Sequence, residues 1–482
     1  MKKFNILISI LCLFAVTSCD NFLDVKPSNS SDSSTSIQTT ADARVMMNGI
    51  MRKMSSSSYY GRNFFLYGDV RGGDLAITSQ GKGYDGLYVF NHSASSGNYS
   101  GFWSQMYNTI AQINNMLANI EVLESVEGAE DFTQLKGEAL TARAHIYFDL
   151  VRLYGKPYNM DKASLGVPNV TTLLDAAVQP SRATVAENYT QIMADLKAGE
   201  ALLAKDKSGN DGYFSYYANI ADQAKVNLYM ENYPAALAAA KVVIESGEYE
   251  LYENDDWDDA WTNEYGSESI LEIGICLDEA DLGTSSLGFY FMRKDKKKGA
   301  LGYFLASDYF LKSLGEDATD VRWNIMDYDE ISNTRFGCCN KYSLGDKEGT
   351  TTAVNIKVIR LSEIYLIAAE AALSSDKQAA ADYLNEIRKR SPGLAPATAA
   401  TVSLDMILAE RGKELYGEGS KFFDMMRCNK TITFNDELIT PSITITHRDK
   451  TIDRTFYKTI LPISKSEMDA NPVIAKQQNP GY

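Results

Sequence analysis

The sequence predicts a mainly α-helical protein built from helical hairpins, with few short strands. The clearest hairpin is residues 219–246, where apolar residues recur at helical spacing on both sides of an Asn-Tyr-Pro turn. Proline at the start of the second helix costs little, because the amide proton that it lacks would have no partner there. A second hairpin of the same kind occupies residues 360–390.

The two hairpins share their internal spacing. Ala224, Ala236 and Val243 lie at spacings of 12 and 7 residues, and the same spacings recur from Ala368 onward. Small residues at Ala224, Ala236 and Ala240 let the two helices of the first hairpin approach closely. The pattern resembles a tetratricopeptide unit.

The first residues predict an export signal. Two lysines precede the apolar run FNILISILCLFAV, and small residues stand immediately before Cys19. This order is typical of a lipoprotein signal over residues 1–18, whose cleavage leaves Cys19 as the acylated N-terminus. An ordinary secretory signal cut nearby is the alternative. The serine-rich residues 19–40 are too polar to fold and predict a flexible tether, which leaves residues 41–482 as a single body.

Composition argues against several function classes. The formal net charge of −16 disfavours binding to nucleic acid and adsorption to an anionic lipid surface. Three histidines, none near another, leave little material for a metal site or a catalytic triad, and no cysteine spacing fits zinc. We therefore expect no metal and no cofactor. Cys338 and Cys339 are adjacent, and both a vicinal disulfide and two free thiols fit them.

Helical periodicity continues along the rest of the chain. Besides the two hairpins, it predicts helices over residues 41–58, 101–123, 131–154, 184–203, 404–416 and 420–427. The alternation in Ser269–Ile275 predicts a strand. Residues 158–182 form a long irregular insertion between helices, which is uncommon in a repeat array and suggests a functional surface.

Two regions predict loops. Residues 59–100 are dense in glycine, tyrosine and polar residues, and residues 278–352 are rich in glycine, serine and aromatic residues. Loops run over the protein surface and often carry function. Aromatic residues there are therefore better ligand candidates than aromatic residues on helix faces. The tail, residues 453–482, is predicted to be extended and polar.

Five separated segments resemble the SusD/RagB family. In chain order they are CDNFLDVKP after the signal, GEALTARAHIYFDLVRLYGKP, VIRLSEIYLIAAEAAL, AERGKELYGEGSKFFDMMR and the ending ILPISKSEMDANPVIAKQQNPGY. The match spans the mature chain, and five motifs in one order argue against chance similarity. Within residues 278–352 only Asp320 and Arg322 align.

This resemblance implies a fold and a role. Family members are largely helical, and their tetratricopeptide-like pairs would here number about four, near residues 101–154, 184–247, 358–390 and 404–428. An irregular ligand-facing half would lie near residues 59–100 and 278–352. Members are surface lipoproteins of the Bacteroidota outer membrane, not enzymes. They capture oligosaccharides or other nutrients and deliver them to a SusC-like TonB-dependent transporter, so the resemblance implies a lipid-anchored protein facing the cell exterior.

Aromatic and polar residues of the two loop regions are the candidate ligand contacts. A sugar ring has an apolar face of C–H groups and an edge of hydroxyls, so its binding combines aromatic stacking with fixed donors and acceptors. The candidates are Arg71, Asp74, Tyr84, Tyr88, Tyr290, Tyr303 and Trp323. A core role is favoured for Trp323, whereas both roles are open for Tyr84 and Tyr88. A further charged group is interpreted as structural ion pairing: Arg411, Glu414, Glu418 and Lys421.

Other functions are open at this point. An exported glycosidase would need two carboxylates flanking a cleft, but no sequence context singles out a pair among 63 acidic residues. A tetratricopeptide scaffold would bind peptides in a concave groove and would not need the long aromatic regions. Within the family role, the cargo could instead be a peptide or another small nutrient.

Overall fold

A computed structural model of the protein describes residues 37–80, 84–95, 101–175, 177–206, 212–275, 285–293, 300–342, 354–439 and 444–482. The predicted signal, Cys19 and most of the predicted tether lie outside these residues. No helix within the described ranges combines the length and the apolar run that a bilayer span requires.

Helices account for most of the regular structure, as the sequence predicts. The N-terminal set consists of α1 (Thr40–Met54), α2 (Asn63–Val70), α3 (Asp85–Val89), α4 (Gly101–Glu124), α5 (Thr133–Tyr154), α6 (Tyr158–Asp161) and α7 (Val185–Glu200). The following set consists of α8 (Tyr216–Tyr229), α9 (Tyr233–Ile244), α10 (Leu287–Phe291), α11 (Asp308–Leu314), α12 (Leu361–Ala372), α13 (Lys377–Arg388), α14 (Leu404–Glu414), α15 (Lys421–Arg427) and α16 (Lys465–Ala470).

The helices pack in a continuous row. The α8–α9 hairpin packs on α12 through α9, and α12 forms the second hairpin with α13. On the other side, α8 contacts α7, which packs on α5, and α5 contacts α4. Ala224, Ala236 and Ala240 are fully buried where these helices approach one another. The small residues that the sequence marked as close-approach positions therefore lie at helix interfaces.

Strands are short and occur, in the described residues, as two-stranded antiparallel ribbons. They are β1 (Leu75–Ala76), β2 (Ser269–Ile273), β3 (Leu305–Ala306), β4 (Met326–Asp327), β5 (Cys338–Cys339), β6 (Ile356–Arg360), β7 (Ile432–Thr433) and β8 (Thr451–Ile452). The pairs are β1–β3, β2–β6, β4–β5 and β7–β8. The predicted strand at Ser269–Ile275 is confirmed as β2. Cys338 and Cys339 are free, buried thiols.

The prediction that residues 59–100 form only loop is wrong. This region contains α2 and α3, and every residue of α2 is buried. Its aromatic side chains pack on α15: the Phe64 and Phe423 rings stack at 5.7 Å, and the Tyr67 ring meets Phe422 edge-on at 5.7 Å. These aromatic residues, which predicted a loop surface, are therefore part of the core.

The tail also differs from its prediction. Residues 453–482 include α16, and their apolar side chains Leu461, Ile463 and Ile474 are buried in the main core. The apolar residues of the tail are spaced irregularly and so predict neither a helix nor a strand, although these three insert into the body.

Buried ion pairs join the strands to the closing helices, which are α14 and α15. Arg360, at the end of β6, lies 2.8 Å from Glu268, 3.1 Å from Glu414 and 2.7 Å from Glu418. Arg322 lies 2.7 Å from Asp320, so the two residues that align with the family motif belong to the same buried network. Burial alone would raise the pKa of Glu414, but Arg360 and neighbouring cations lower it to about 2.

The charged residues of the closing helices are structural, as predicted, but their partners lie outside the predicted cluster. Arg411 pairs with Asp424 at 2.8 Å, and Lys421 pairs with Asp74 at 3.0 Å. Glu414 and Glu418 both bind Arg360. The cluster therefore connects the last helices to distant segments of the chain.

A buried carboxylate clamps α2 to the turn before α15. Asp69 accepts hydrogen bonds from the amides of Gly419, at 2.8 Å, and Lys421, at 3.3 Å. Gly68 lies directly against Gly419, where a Cβ atom on Gly68 would come within 1.9 Å of the Gly419 carbonyl oxygen. Burial raises the pKa of Asp69 to about 7, despite the two amide hydrogen bonds that lower it.

Asp69 predicts a pH dependence of stability. Its pKa is near 3.8 in the unfolded chain and about 7 in the folded protein, so the folded protein binds the proton more tightly. The contribution of Asp69 to the free energy of unfolding therefore falls as the pH rises from 3.8 to 7. We expect the native protein to lose stability relative to Asp69→Asn across this window in chemical denaturation, because other titrating groups cancel in the difference. Parallel curves for the two proteins would contradict the shifted pKa.

Candidate functional site

Tyr84 and Tyr290, predicted from separate regions, lie together in the structure. Their rings meet edge-on with centroids 5.0 Å apart. The guanidinium carbon of Arg62 lies 4.8 Å from the Tyr84 ring centroid and 5.6 Å from that of Tyr290. We call these three residues the Arg62 cluster.

Short backbone pairings bring the two regions together. The β1–β3 ribbon joins Leu75 and Ala76 to Leu305 and Ala306. Next to it, the amide of Tyr303 donates to the Tyr290 carbonyl at 2.8 Å. Tyr303 is buried, and its hydroxyl donates to the Ser79 carbonyl at 3.3 Å. Tyr303 therefore connects the Tyr290 backbone to the backbone at Ser79, five residues before Tyr84.

Arg62 is nearly buried and has no carboxylate partner among the described residues. Its Nε donates to Asn63 Oδ1 at 2.8 Å, and its Nη1 donates to the Ser285 carbonyl at 3.2 Å. These bonds fix the guanidinium plane without neutralising its charge. A buried cation is normally paired, so an unpaired one next to an aromatic surface is typical of a binding residue.

Tyr84 is the exposed member of the cluster. It precedes α3 and is half-buried, whereas Tyr290 is only 7% exposed. Burial raises the pKa of Tyr84 to about 12, although Arg62 acts in the opposite direction, so its hydroxyl stays a neutral donor and acceptor. The cluster thus offers an aromatic face beside a fixed cation.

Two of the predicted residues lie in the core. Arg71 is fully buried, with its guanidinium carbon 4.0 Å from the Phe90 ring centroid, and its Nη2 donates to the Lys458 carbonyl. Tyr88 is also fully buried, and it packs edge-on against Phe434 at 5.4 Å. The structure gives both side chains a packing role.

Asp74 and Trp323 also have structural partners. The ion pair of Asp74 with Lys421 ties β1 to α15. Trp323 is half-buried, its Nε1 donates to the Asp317 carbonyl at 3.2 Å, and its ring meets Phe336 at 5.8 Å. No ring contact in the described residues connects Trp323 with the Arg62 cluster.

Sequence reasoning missed Arg62. This residue stands in the run YYGRNFF, between two aromatic pairs and directly before α2. A lone arginine inside an aromatic run is a signal for stacking of the guanidinium on rings. The prediction of a loop over residues 59–100 favours Arg71 as a candidate and does not single out Arg62.

An apolar cleft forms a second exposed surface. It has a volume of about 270 Å³ and is lined by Trp103, Tyr107 and Ala111 of α4 and by the insertion at residues 158–182. On its rim Leu173 and Leu174 are 52% and 44% exposed.

Buried polar side chains hold the insertion in place. Asn114 donates to the carbonyls of Val170 and Thr172 at 3.0 and 3.2 Å, and Arg143 donates to that of Thr171 at 2.9 Å. Because these bonds come from buried helix positions, the exposed leucines stand on a fixed backbone rather than a free loop. The sequence predicts a functional surface at this insertion, and the exposed leucines are the candidate residues for it.

Known proteins are similar to this chain in fold, and two protein families match its N-terminal and C-terminal parts. Residues 313–482 match the SusD family, and residues 21–228 match a family described as "Starch-binding associating with outer membrane". A SusD superfamily structure from Bacteroides thetaiotaomicron VPI-5482 is 34% identical, with a TM-score of 0.84 over 92% of this chain and 100% of that chain. The protein belongs to the SusD family.

Further relatives agree with membership of the SusD family. A Bacteroides vulgatus ATCC 8482 structure bearing the provisional name of a sugar-binding protein is 35% identical, with a TM-score of 0.82 over 93% of this chain and all of that chain. SusD-like protein P38 of Formosa agariphila is 24% identical over 90% of this chain and 93% of its own length. Tyr290 of the Arg62 cluster lies outside the two matched segments, between residues 228 and 313 of this SusD protein.

Proposed function

We propose that the protein binds a glycan at the Arg62 cluster and does not alter it chemically. The observation that carries the proposal is the unpaired Arg62 guanidinium beside the half-exposed Tyr84 ring. A tyrosine face stacks on the C–H face of a sugar, while a fixed guanidinium donates to its hydroxyls. The starch-binding description of the matched family and the provisional sugar-binding name of the 35% identical relative support this ligand class.

The test is retardation in native gels that contain soluble polysaccharides, run with the Cys19→Ala chain. We expect one polysaccharide class to slow this chain, and to slow its Tyr84→Ala form much less. Peptide binding without any glycan retardation would replace the proposal with a peptide cargo. Release of reducing sugar from the retarding polysaccharide would show that the protein is an enzyme.

We further propose that the apolar cleft docks a protein partner, the SusC-like transporter that receives the glycan. Exposed leucines on a rigidly held backbone favour a protein contact, since such residues gain stability when a partner covers them. Among the described residues that line the cleft, Glu467 is the only aspartate, glutamate, lysine, arginine or histidine. A concave apolar cleft fits an inserted side chain better than it fits a flat lipid surface.

The docking proposal predicts the effect of two exposed substitutions. Leu173→Asp with Leu174→Asp should abolish co-purification of a transporter barrel in mild detergent, because two charges would be desolvated at the interface. Thermal unfolding should be unchanged, since both side chains are exposed. Val45→Asp on α1 is the matched control, as Val45 is 68% exposed away from the cleft. Equal barrel yields from the native and Leu173/Leu174 variants would reject this docking face.

We also propose that Cys19 anchors the protein to the outer membrane. An acyl-modified N-terminal cysteine partitions into lipid, whereas the described body has no spanning helix. Cys19→Ala should therefore move the protein from the membrane fraction to the soluble fraction in cell fractionation. A variant still found in the outer-membrane fraction would contradict the lipid anchor.

A further inference from the structure

A polar cavity lies between the α8–α9 turn and the C-terminal end of α15. Its volume is about 250 Å³, and the residues that matter for its chemistry are Asn159, Glu231, Tyr233, Asn429 and Arg454. It shares no residue with the Arg62 cluster or with the apolar cleft.

Asn159 holds two opposite charges at this cavity. Its Nδ2 donates to Glu231 Oε1 at 2.7 Å, and its Oδ1 accepts from Arg454 Nη1 at 3.1 Å. In the part of the chain that the structure describes, neither Glu231 nor Arg454 forms an ion pair. Both charged groups therefore keep hydrogen-bonding capacity that is available to a ligand in the cavity.

The remaining walls add neutral donors and acceptors. The side-chain amide of Asn429 and the hydroxyl of Tyr233 have no hydrogen-bond partner among the described residues. The floor carries no free charge, because Arg427 binds both carboxylate oxygens of Glu370, at 2.5 and 2.8 Å. The polar groups available to a ligand thus stand on the rim, next to the half-buried Tyr233 ring.

We propose that this cavity binds one sugar ring, as a site separate from the Arg62 cluster. Glu231 disfavours an anion and Arg454 disfavours a cation, so the pair selects a neutral ligand whose hydroxyls both donate and accept. The volume lies below the range of pockets that enclose larger ligands, which are about 300 Å³ and upward, and so suits a single ring. The cavity would hold a second ring of the glycan that is bound at the Arg62 cluster, or a ring of a neighbouring glycan.

The test is saturation-transfer NMR on the Cys19→Ala, Tyr84→Ala chain, in which the Arg62 cluster is disabled. The probes are the methyl glycosides of glucose, galactose, mannose, xylose and N-acetylglucosamine, with glycine and alanine as zwitterionic comparators. We expect at least one glycoside to bind. Arg454→Ala should weaken that binding about tenfold or more, the loss expected for one charge-assisted hydrogen bond.

Two further variants control for folding and for charge. Asn429→Gly removes the amide at a backbone φ of 52°, which glycine adopts without strain, and should also weaken binding. Lys430→Ala removes a neighbouring cation that pairs with Asp405 outside the cavity and should leave binding unchanged.

Several outcomes would overturn the site. They are glycoside signals insensitive to Arg454 and Asn429, signals from the zwitterions alone, and silence across the glycosides. Each of these leaves the Arg62 cluster untested, because its own readout is the polysaccharide retardation of the chain that retains Tyr84.

Discussion

Arg360→Ala is expected to lower the free energy of unfolding by about 3 to 5 kcal/mol, the range for removing one partner of a buried ion pair. Arg360 is 1% exposed and faces Glu268, Glu414 and Glu418. Removing the guanidinium leaves each of the three buried carboxylates with one cationic partner instead of two, so the cost of burying them opposes folding. Chemical denaturation monitored by tryptophan fluorescence measures the loss.

The matched control is Lys430→Ala, which breaks an exposed pair. Lys430 lies 2.6 Å from Asp405, whose side chain is 79% exposed. Exposed ion pairs contribute about 0 to 1 kcal/mol, so this variant should stay close to the native protein. If Arg360→Ala were no more destabilised than Lys430→Ala, the buried network would not hold the strands to the closing helices.

Tyr84→Ala is expected to weaken glycan binding by about 1 to 3 kcal/mol, roughly 5-fold to 150-fold in Kd. The lost free energy is that of stacking a sugar face on the ring beside Arg62. Because Tyr84 is half-exposed, its loss should change thermal unfolding far less than the loss of Arg360. Isothermal titration with the oligosaccharide of the retarding class measures the affinity.

Two variants sharpen this prediction. Arg62→Lys keeps the charge but loses the planar guanidinium, so it should also weaken binding. Tyr328→Ala is the matched control, since Tyr328 is an aromatic residue of the same region, 37% exposed, that packs on Phe336 at 4.3 Å. Equal losses from Tyr84→Ala and Tyr328→Ala would mean that the Arg62 cluster has no special part in binding.

The helical part of the fold was predictable from the sequence because its signals are local. The Asn-Tyr-Pro turn and the small residues of 219–246 fall at the α8–α9 hairpin, and the predicted helix over residues 131–154 ends, as α5 does, at Tyr154. Periodicity of 3.6 residues is visible in any single segment. Capping residues such as Thr184, whose hydroxyl accepts from the Glu187 amide at the start of α7, reinforce the same boundaries.

The site was only partly predictable because its parts are distant in sequence. Tyr84 and Tyr290 were candidates on composition alone, and their contact depends on the β1–β3 ribbon, whose strands are too short to show alternation. Tyr88 and Arg71 came from the same glycine-rich context but are buried by Phe434 and Phe90, which the sequence does not place beside them. Aromatic density marks a core as readily as a ligand surface, and only the long-range packing separates the two.

The most direct test of the Arg62 cluster as the glycan site is a crystal structure of the Cys19→Ala chain with an oligosaccharide of the retarding class. We predict a sugar ring stacked on the exposed face of Tyr84, with a hydroxyl accepting a hydrogen bond from the Arg62 guanidinium. An oligosaccharide bound elsewhere on the protein, with no sugar at Tyr84, would contradict the central claim.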